Sequence, residues 1–317
     1  MEVVIGKRNA FFCNLKVLLI LLVVYGHFIE AKMWDSEFLM WQYRLIYSVH
    51  MPLFAFLSGV FLKGKKACWM QFKKAFMYYL IFQALSIVII KLVQGRTVSL
   101  MEPYWHLWYL LSLSCWSLLC LAVEVMEECL QGAWIKVILV MISIVFACMM
   151  GYVKEIDRTF SLSRTIVFLP YVLMGKYFPQ ETELKRYRIW GIMAGVSAIG
   201  LVIALKNSIP VSFLYQADSY MARGVEQGWL LRLLSYIIGV GMGFFLLVLI
   251  PQKRLAVSKI GGSTLWIYIL HAPLVLLLQR VRFWENEFEY VAMFVAVILV
   301  LLLYKGFQWR GKLYRIV

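Results

Sequence analysis

Ten runs of fourteen to twenty-two mostly apolar residues, joined by short polar connections, constrain this chain more than any other feature. A helix needs about 20 such residues to cross the hydrocarbon core of a bilayer. Lipid offers no partner for backbone N–H and C=O groups, so runs of this length and composition are read as helices. The expected spans are Cys13–Ile29, Leu45–Leu62, Ala75–Val93, Trp105–Val123, Trp134–Tyr152, Thr165–Phe178, Ile189–Leu205, Trp229–Ile250, Ile260–Leu278 and Tyr290–Phe307. They occupy most of the 317 residues and leave no room for a soluble domain of ordinary size. Composition agrees, since 63% of residues are hydrophobic and 15% charged, against about 45–50% and about 25% in soluble domains. The expected fold is an all-α integral membrane bundle of about ten transmembrane helices, forming one domain over residues 1–317. Function must then reside within or between the helices.

The run after Lys7 and Arg8 resembles a secretory leader, but no small-x-small cleavage pattern follows it, so it is read as an uncleaved first helix. Ten spans place both termini on one side. Counting Lys and Arg in alternate connections assigns sixteen to the side of the N-terminus, among them Lys63, Lys65, Lys66, Lys185 and Arg186. Nine fall on the opposite side, among them Lys32, Arg44, Arg96, Lys154, Arg158, Arg223, Arg280 and Arg282. By the positive-inside rule both termini are expected in the cytoplasm, with Asn207 to Gly228 as an external, partly folded loop. The net charge of +15 is explained by this asymmetry and the anionic inner leaflet, not by nucleic acid. Six cysteines without a CxxC or a Cys/His cluster imply neither disulfide nor metal site.

Ionisable groups inside spans are costly and commonly face a bundle interior or a wet cavity. All four histidines, His27, His50, His106 and His271, fall in or at the ends of spans. Lys16 and His27 are eleven residues apart, close to three helical turns, and so share one face about 16 Å apart along the axis. A cation near the cytoplasmic mouth and an imidazole deeper on the same face suit an extended anionic thioester such as acyl-CoA. A snorkelling lysine and a helix-packing histidine meet the same spacing, and on spacing alone that plainer arrangement is the more frequent. The second span is expected to begin at Ser48-Val49-His50-Met51-Pro52, with Pro52 in its first turn and His50 at its outer entrance. Further along it, Ser58-Gly59 permits close backbone approach. His106 and Trp108 open the fourth span, Arg164 opens the sixth before Pro170, and His271 sits mid-span two residues before Pro273.

Taken in order, these segments resemble the membrane acyltransferase type 3 family, and within it the fucose 4-O-acetylase-like branch. Asn14-Leu15-Lys16 followed ten residues later by His27 is similar to the acidic-Leu-Arg/Lys and His pattern of that family's first helix. The stretch from Ile46 to Phe61, IYSVHMPLFAFLSGVF, is the most specific match. His106 to Leu113, Arg164 to Phe178 and Ser263 to Leu274 are similar to later segments. Asn14 stands where the family usually has aspartate and Lys16 where arginine is commoner, so an ion pair between these positions is absent. No extracytoplasmic hydrolase-like domain is expected after the last span.

The resemblance implies an enzyme of the bacterial plasma membrane that uses cytoplasmic acyl-CoA, acetyl-CoA by default, to O-acylate a hydroxyl of a surface or exported glycan, with no metal. His27 is the expected catalytic group, as general base or transient acyl carrier. Lys16 is assigned to the donor's phosphates, and Arg164 to anchoring donor or acceptor or to stabilising an oxyanion. His106, Trp108, Ser58, His50 and His271 are expected to line the cavity. The alternative from another class is a transporter or flippase for a lipid-linked sugar or polar metabolite, since buried cations and Pro-interrupted helices also mark transport pathways. Acceptor, acyl group and oligomeric state are not readable from these residues.

Overall fold

A computed structural model describes residues 2–95, 97, 99–129, 132–179, 183–279 and 288–313. Arg96, Arg280 and Arg282, used above in assigning sides, lie outside them. Ten α-helices are found among the described residues, and each expected span falls on one. They are α1 (Glu2–Ile29), α2 (Glu37–Phe61), α3 (Lys65–Gln94), α4 (Trp108–Cys129), α5 (Ala133–Met150), α6 (Leu162–Tyr177), α7 (Arg188–Ala204), α8 (Gly228–Leu249), α9 (Thr264–Gln279) and α10 (Phe288–Leu313). Six stretches are long and apolar enough to cross a membrane: α1 from Ala10, α2, α3 to Leu92, α4 with its leading turn, α7 with its leading turn, and α8. The bent pair Ala256–Gly262 and Thr264–Leu278 makes a seventh if it is one span, so among the described residues six helices, up to seven, stand against the ten expected spans.

Two expected boundaries are corrected. The second helix begins at Glu37, not near Leu45, so His50 and Pro52 lie in its interior and not at an entrance, and Arg44 is a helical residue. Its first turns are amphipathic and escape a hydropathy reading. Leu39, Tyr43 and Tyr47 repeat at a spacing of four along one face; Leu39 and Tyr43 are buried, and Tyr43 stacks on Tyr47 at 3.9 Å. The Ser36 hydroxyl accepts from the Leu39 N–H and starts the helix. The ninth span does not run straight from Ile260. A 3-10 turn over Ala256–Gly262 meets α9 at 83°, because Gly261-Gly262 interrupts the helix and Gly261 lies on the backbone of α1, 2.8 Å separating a Cβ there from Cys13 Cα.

The chain divides into two compact units, residues 1–50, 183–202 and 241–317 forming one and 51–182 and 203–240 the other. In the first, α1 packs against α9, α10 and the Ala256–Gly262 turn. Asn14 secures that turn: its amide donates to the carbonyls of Pro251 (2.8 Å) and Lys253 (3.0 Å), and its oxygen accepts from Ser258 Oγ at 2.5 Å. In the second unit, α3 packs on α4, and α6 on α4 and α5. The last eleven residues of α2 meet α6 so closely that a Cβ at Gly59 would strike the Val172 carbonyl and one at Gly175 the Phe56 carbonyl. The Ser58-Gly59 approach expected from the sequence is therefore present, with α6 as its partner.

Two charged groups inside the second unit are compensated by the fold. Arg232 of α8 is 2% exposed, donates to the Ala147 carbonyl at 3.0 Å and lies over the Tyr220 ring at 4.7 Å. Tyr220 donates to the Cys148 carbonyl at 3.0 Å. Both carbonyls belong to the last turn of α5, which leaves its C=O groups without helical partners and carries the negative end of the helix dipole. Lys176 of α6 pairs with Glu124 of α4, whose carboxylate also accepts from the Gly64 N–H at 2.8 Å.

Candidate active site

The first unit brings together two of the expected histidines. His27, near the C-terminal end of α1, and His271, in the middle of α9, are both buried, their ring centroids 5.1 Å apart and their planes at 69°. The separation in sequence is 244 residues, and it closes because α1 and α9 pack side by side. Nδ1 of His271 lies 2.6 Å from the Tyr268 carbonyl and 3.2 Å from that of Ile267. A carbonyl only accepts, so Nδ1 carries the proton and the ring is held by its own helix while its Nε2 edge points away from those carbonyls. Lys16 lies on the same continuous helix as His27 and is half-buried. The shared face inferred from the spacing therefore stands on an unbroken α1.

His50 is also in this unit, but with different partners. Its Nδ1 lies 2.7 Å from the Ile46 carbonyl one turn earlier, and its ring meets Tyr47 edge-on at 4.6 Å. The Nδ1 of this buried histidine is satisfied within its own helix.

The second unit holds the other expected residues. Arg164, in the first turn of α6, spreads its guanidinium over the Trp108 indole at 4.7 Å and donates from Nε to the Tyr215 carbonyl at 3.0 Å. Trp108 in turn stacks on Phe168 at 5.5 Å. The N-terminus of α6 is held to α4 by hydroxyls: Ser112 lies 3.0 Å from Ser161 and 2.8 Å from Thr165, and the Trp116 indole donates to the Thr165 carbonyl at 2.8 Å. His106 is buried in a 3-10 turn, Trp105–Leu107, that leads into α4. Ser58 lies 2.6 Å from the Tyr109 hydroxyl and donates to the Phe54 carbonyl at 3.0 Å. Tyr109 had not been singled out from the sequence, and its helical spacing beside Trp108 gave no sign of it. Arg232 was missed as well, although an arginine in Trp-Leu-Leu-Arg-Leu-Leu-Ser is a visible signal. Among the described residues no group of three or more His, Cys, Asp or Glu side chains could hold a metal ion.

Chemically, the first unit offers a buried imidazole beside a second, fixed imidazole, which suits proton removal in a water-poor place. The second offers a fixed cation on an aromatic base, which suits an anionic or polar oxygen. A family model described as an acyltransferase domain, that of the acyltransferase 3 family, matches residues 9–305. The chain belongs to this family and is a multi-pass membrane acyltransferase. No curated protein and no solved structure matches it.

Proposed function

We propose that this acyltransferase moves an acetyl group from cytoplasmic acetyl-CoA to a sugar hydroxyl of a surface or exported glycan in a bacterial plasma membrane, as the fucose 4-O-acetylase-like branch implies. All ten helices cross the bilayer in this reading, with both termini cytoplasmic. The observation that carries it is the buried His27–His271 pair on α1 and α9, inside a matched acyltransferase domain.

His27 takes the proton of the acceptor hydroxyl as its oxygen attacks the thioester carbonyl. The C–O bond forms, the C–S bond breaks, and the imidazolium returns its proton to the departing thiolate. His271, its Nδ1 proton tied to Tyr268, packs on the His27 ring and limits its rotation. Lys16, lower on the same face, meets the donor's phosphates. Arg164, in the second unit, is assigned to anchoring the acceptor, and His106, Trp108 and Ser58 of that unit to acceptor or donor binding.

The test compares the O-acyl content of surface glycans, by NMR or mass spectrometry, in a strain lacking the gene and complemented with wild type or His27→Ala at equal membrane level. Acyl groups that vanish with the deletion and return only with wild type support the reading. Full restoration by His27→Ala overturns the catalytic assignment, and an unchanged glycan in the deletion overturns the acceptor class.

A further inference from the structure

The connection between α7 and α8 is a polar segment in sequence, yet it is folded into the second unit. It forms two 3-10 turns, Val211–Tyr215 and Met221–Arg223, and buries Val211, Phe213, Ala217 and Tyr220. Its middle is gripped by the start of α6. Two consecutive donors, Ser163 Oγ and Arg164 Nε, reach two consecutive carbonyls, Gln216 at 2.9 Å and Tyr215 at 3.0 Å. Successive carbonyls of an extended chain point in opposite directions. They converge here because Gln216 takes a left-handed conformation, φ 52°, which disfavours residues other than glycine by about 1 kcal/mol. Such a conformation persists only where the surroundings impose it.

A set of ion pairs lies two residues on. Asp218, with a side chain 15% exposed, accepts from Arg158 Nε at 2.9 Å and Nη2 at 3.2 Å, and also pairs with Arg223. The Arg158 pair is a two-point fork, the geometry in which an arginine fixes orientation as well as charge. Arg158 precedes α6 and Arg223 ends the second turn, so one carboxylate joins the entry of α6 to the far side of the segment.

We propose that residues 211–223 act as a strap whose Tyr215 carbonyl sets the direction of the Arg164 guanidinium over Trp108, and that Asp218 is the positioning residue that holds the strap. This rests on the reading of Arg164 as the acceptor anchor. With Nε committed to a carbonyl, the plane of the guanidinium is chosen before an acceptor arrives, and the ligand class it awaits is an oxygen-rich polar or anionic group such as a glycan hydroxyl pair or carboxylate. Loss of the latch would loosen acceptor binding and leave the histidine chemistry of the other unit intact, a change in half-saturation without a matching change in turnover.

The test uses the full chain in lipid nanodiscs, labelled with [15N]arginine. The Arg164 Nε–H resonance is identified as the signal lost in Arg164→Lys. In wild type it should be resolved and slow to exchange. In Asp218→Asn it should broaden or vanish, Asp218→Glu should restore it, and Arg158→Gln should give an intermediate loss with a fold checked by melting. In parallel, [14C]acetyl transfer from saturating acetyl-CoA to a de-O-acylated surface glycan extract should show a half-saturating concentration raised roughly tenfold in Asp218→Asn, with maximal rate within about twofold of wild type. A wild-type Nε–H signal in Asp218→Asn, or unchanged half-saturation, overturns the proposal. If wild type transfers no acetyl while the Nε–H signal still depends on Asp218, the acceptor reading falls and the strap stands.

Discussion

Replacing Gly59 with alanine tests whether the close contact between α2 and α6 holds the second unit together. The added Cβ would meet the Val172 carbonyl oxygen well inside van der Waals distance and lie 2.8 Å from the Lys176 nitrogen. Both are backbone atoms of a helix, so no side chain can swing aside, and the helices must part by on the order of 1 Å. Separation on that scale would weaken the buried core around Ala55, Trp116, Phe168 and Val172 and stretch the 2.6 Å contact between Ser58 and Tyr109. Overpacking of this kind costs about 1–3 kcal/mol, and the unyielding partner places Gly59→Ala near the upper end. Where membrane helices associate through small residues, such a loss is felt directly. Cys68, Cys120 and Cys148 are buried free thiols of this unit and become reactive to a thiol-specific fluorophore as it unfolds. Their labelling during a temperature ramp in detergent should occur at least about 5 °C lower in Gly59→Ala than in wild type. Gly175→Ala, facing the Phe56 carbonyl, should do the same, and the double variant should cost less than the sum because both parts of the contact open together. Gly200→Ala on α7 is the control, since a Cβ there meets nothing within 4 Å and alanine favours the helix. If Gly59→Ala melts with Gly200→Ala, the tight contact does not exist.

Asn14→Asp would restore the family-like acid but lose the two amide donations to Pro251 and Lys253 and set a carboxylate against their carbonyls. It should lower stability by about 2 kcal/mol, read as a shift in the melting curve, whereas a stabilised protein would show that Asn14 does not clamp the 251–258 turn. Arg232→Met leaves the Ala147 carbonyl without its donor and should cost about 2 kcal/mol, with hydrogen exchange rising first at the end of α5. Asp218 gives a pH signature. Burial raises its carboxyl pKa, but the hydrogen bonds and charges of Arg158 and Arg223 outweigh burial and hold it below the ordinary aspartate value. The contribution of the latch is therefore complete above the ordinary value of about 3.9 and lost as pH falls through the lowered one. The melting difference between wild type and Asp218→Asn should be constant from pH 5 to 8 and shrink only on strong acidification; a difference that closes near neutral pH would contradict the pairing. Lys16→Ala should weaken acetyl-CoA binding about tenfold, measured as a reduced thermal shift, and an unchanged shift would remove the phosphate role.

The helices themselves were legible because hydropathy and helical spacing are local. Each apolar run holds one α-helix, the ninth only after a bent 3-10 turn, and Ser58-Gly59 announced a close approach because only small residues permit one. The start of α2 escaped the same reading. Glu37 to Arg44 is polar on one side, and the helix there buries only the Leu39 and Tyr43 face. For the site, types were readable and partners were not. His27 and His271 were singled out separately, but nothing in a sequence separation of 244 residues says that α1 and α9 lie side by side. The strap was invisible for the same reason. Asn207 to Gly228 reads as a partly folded loop, but the carbonyls that meet Ser163 and Arg164 do so with donors of another element.

The charged residues inside helices also sort in a way that the rule about costly intramembrane charges does not anticipate. Arg232 is an arginine deep in an apolar helix, a functional-site candidate on that rule alone, yet a helix C-terminus meets part of its demand. The Ala147 carbonyl, the dipole of α5 and the faces of Tyr220 and Phe213 supply the negative potential that a carboxylate would otherwise provide. Lys176 is balanced by Glu124, a partner of opposite sign. Arg164 differs from both. It too rests on an aromatic ring and a carbonyl, but that carbonyl ends a short 3-10 turn, Val211–Tyr215, of the connection between α7 and α8 and not a long helix. A cap on α5 lowers the energy of both groups it joins, whereas the left-handed Gln216 carries a conformational cost that the Asp218 fork offsets. The contrast predicts opposite behaviour on substitution. Arg232→Met should damage stability and, once folded, leave acceptor half-saturation near wild type. Arg164→Met should leave the melting curve within about 1 kcal/mol and raise half-saturation. A melting loss in Arg164→Met equal to that in Arg232→Met would place both arginines in the scaffold.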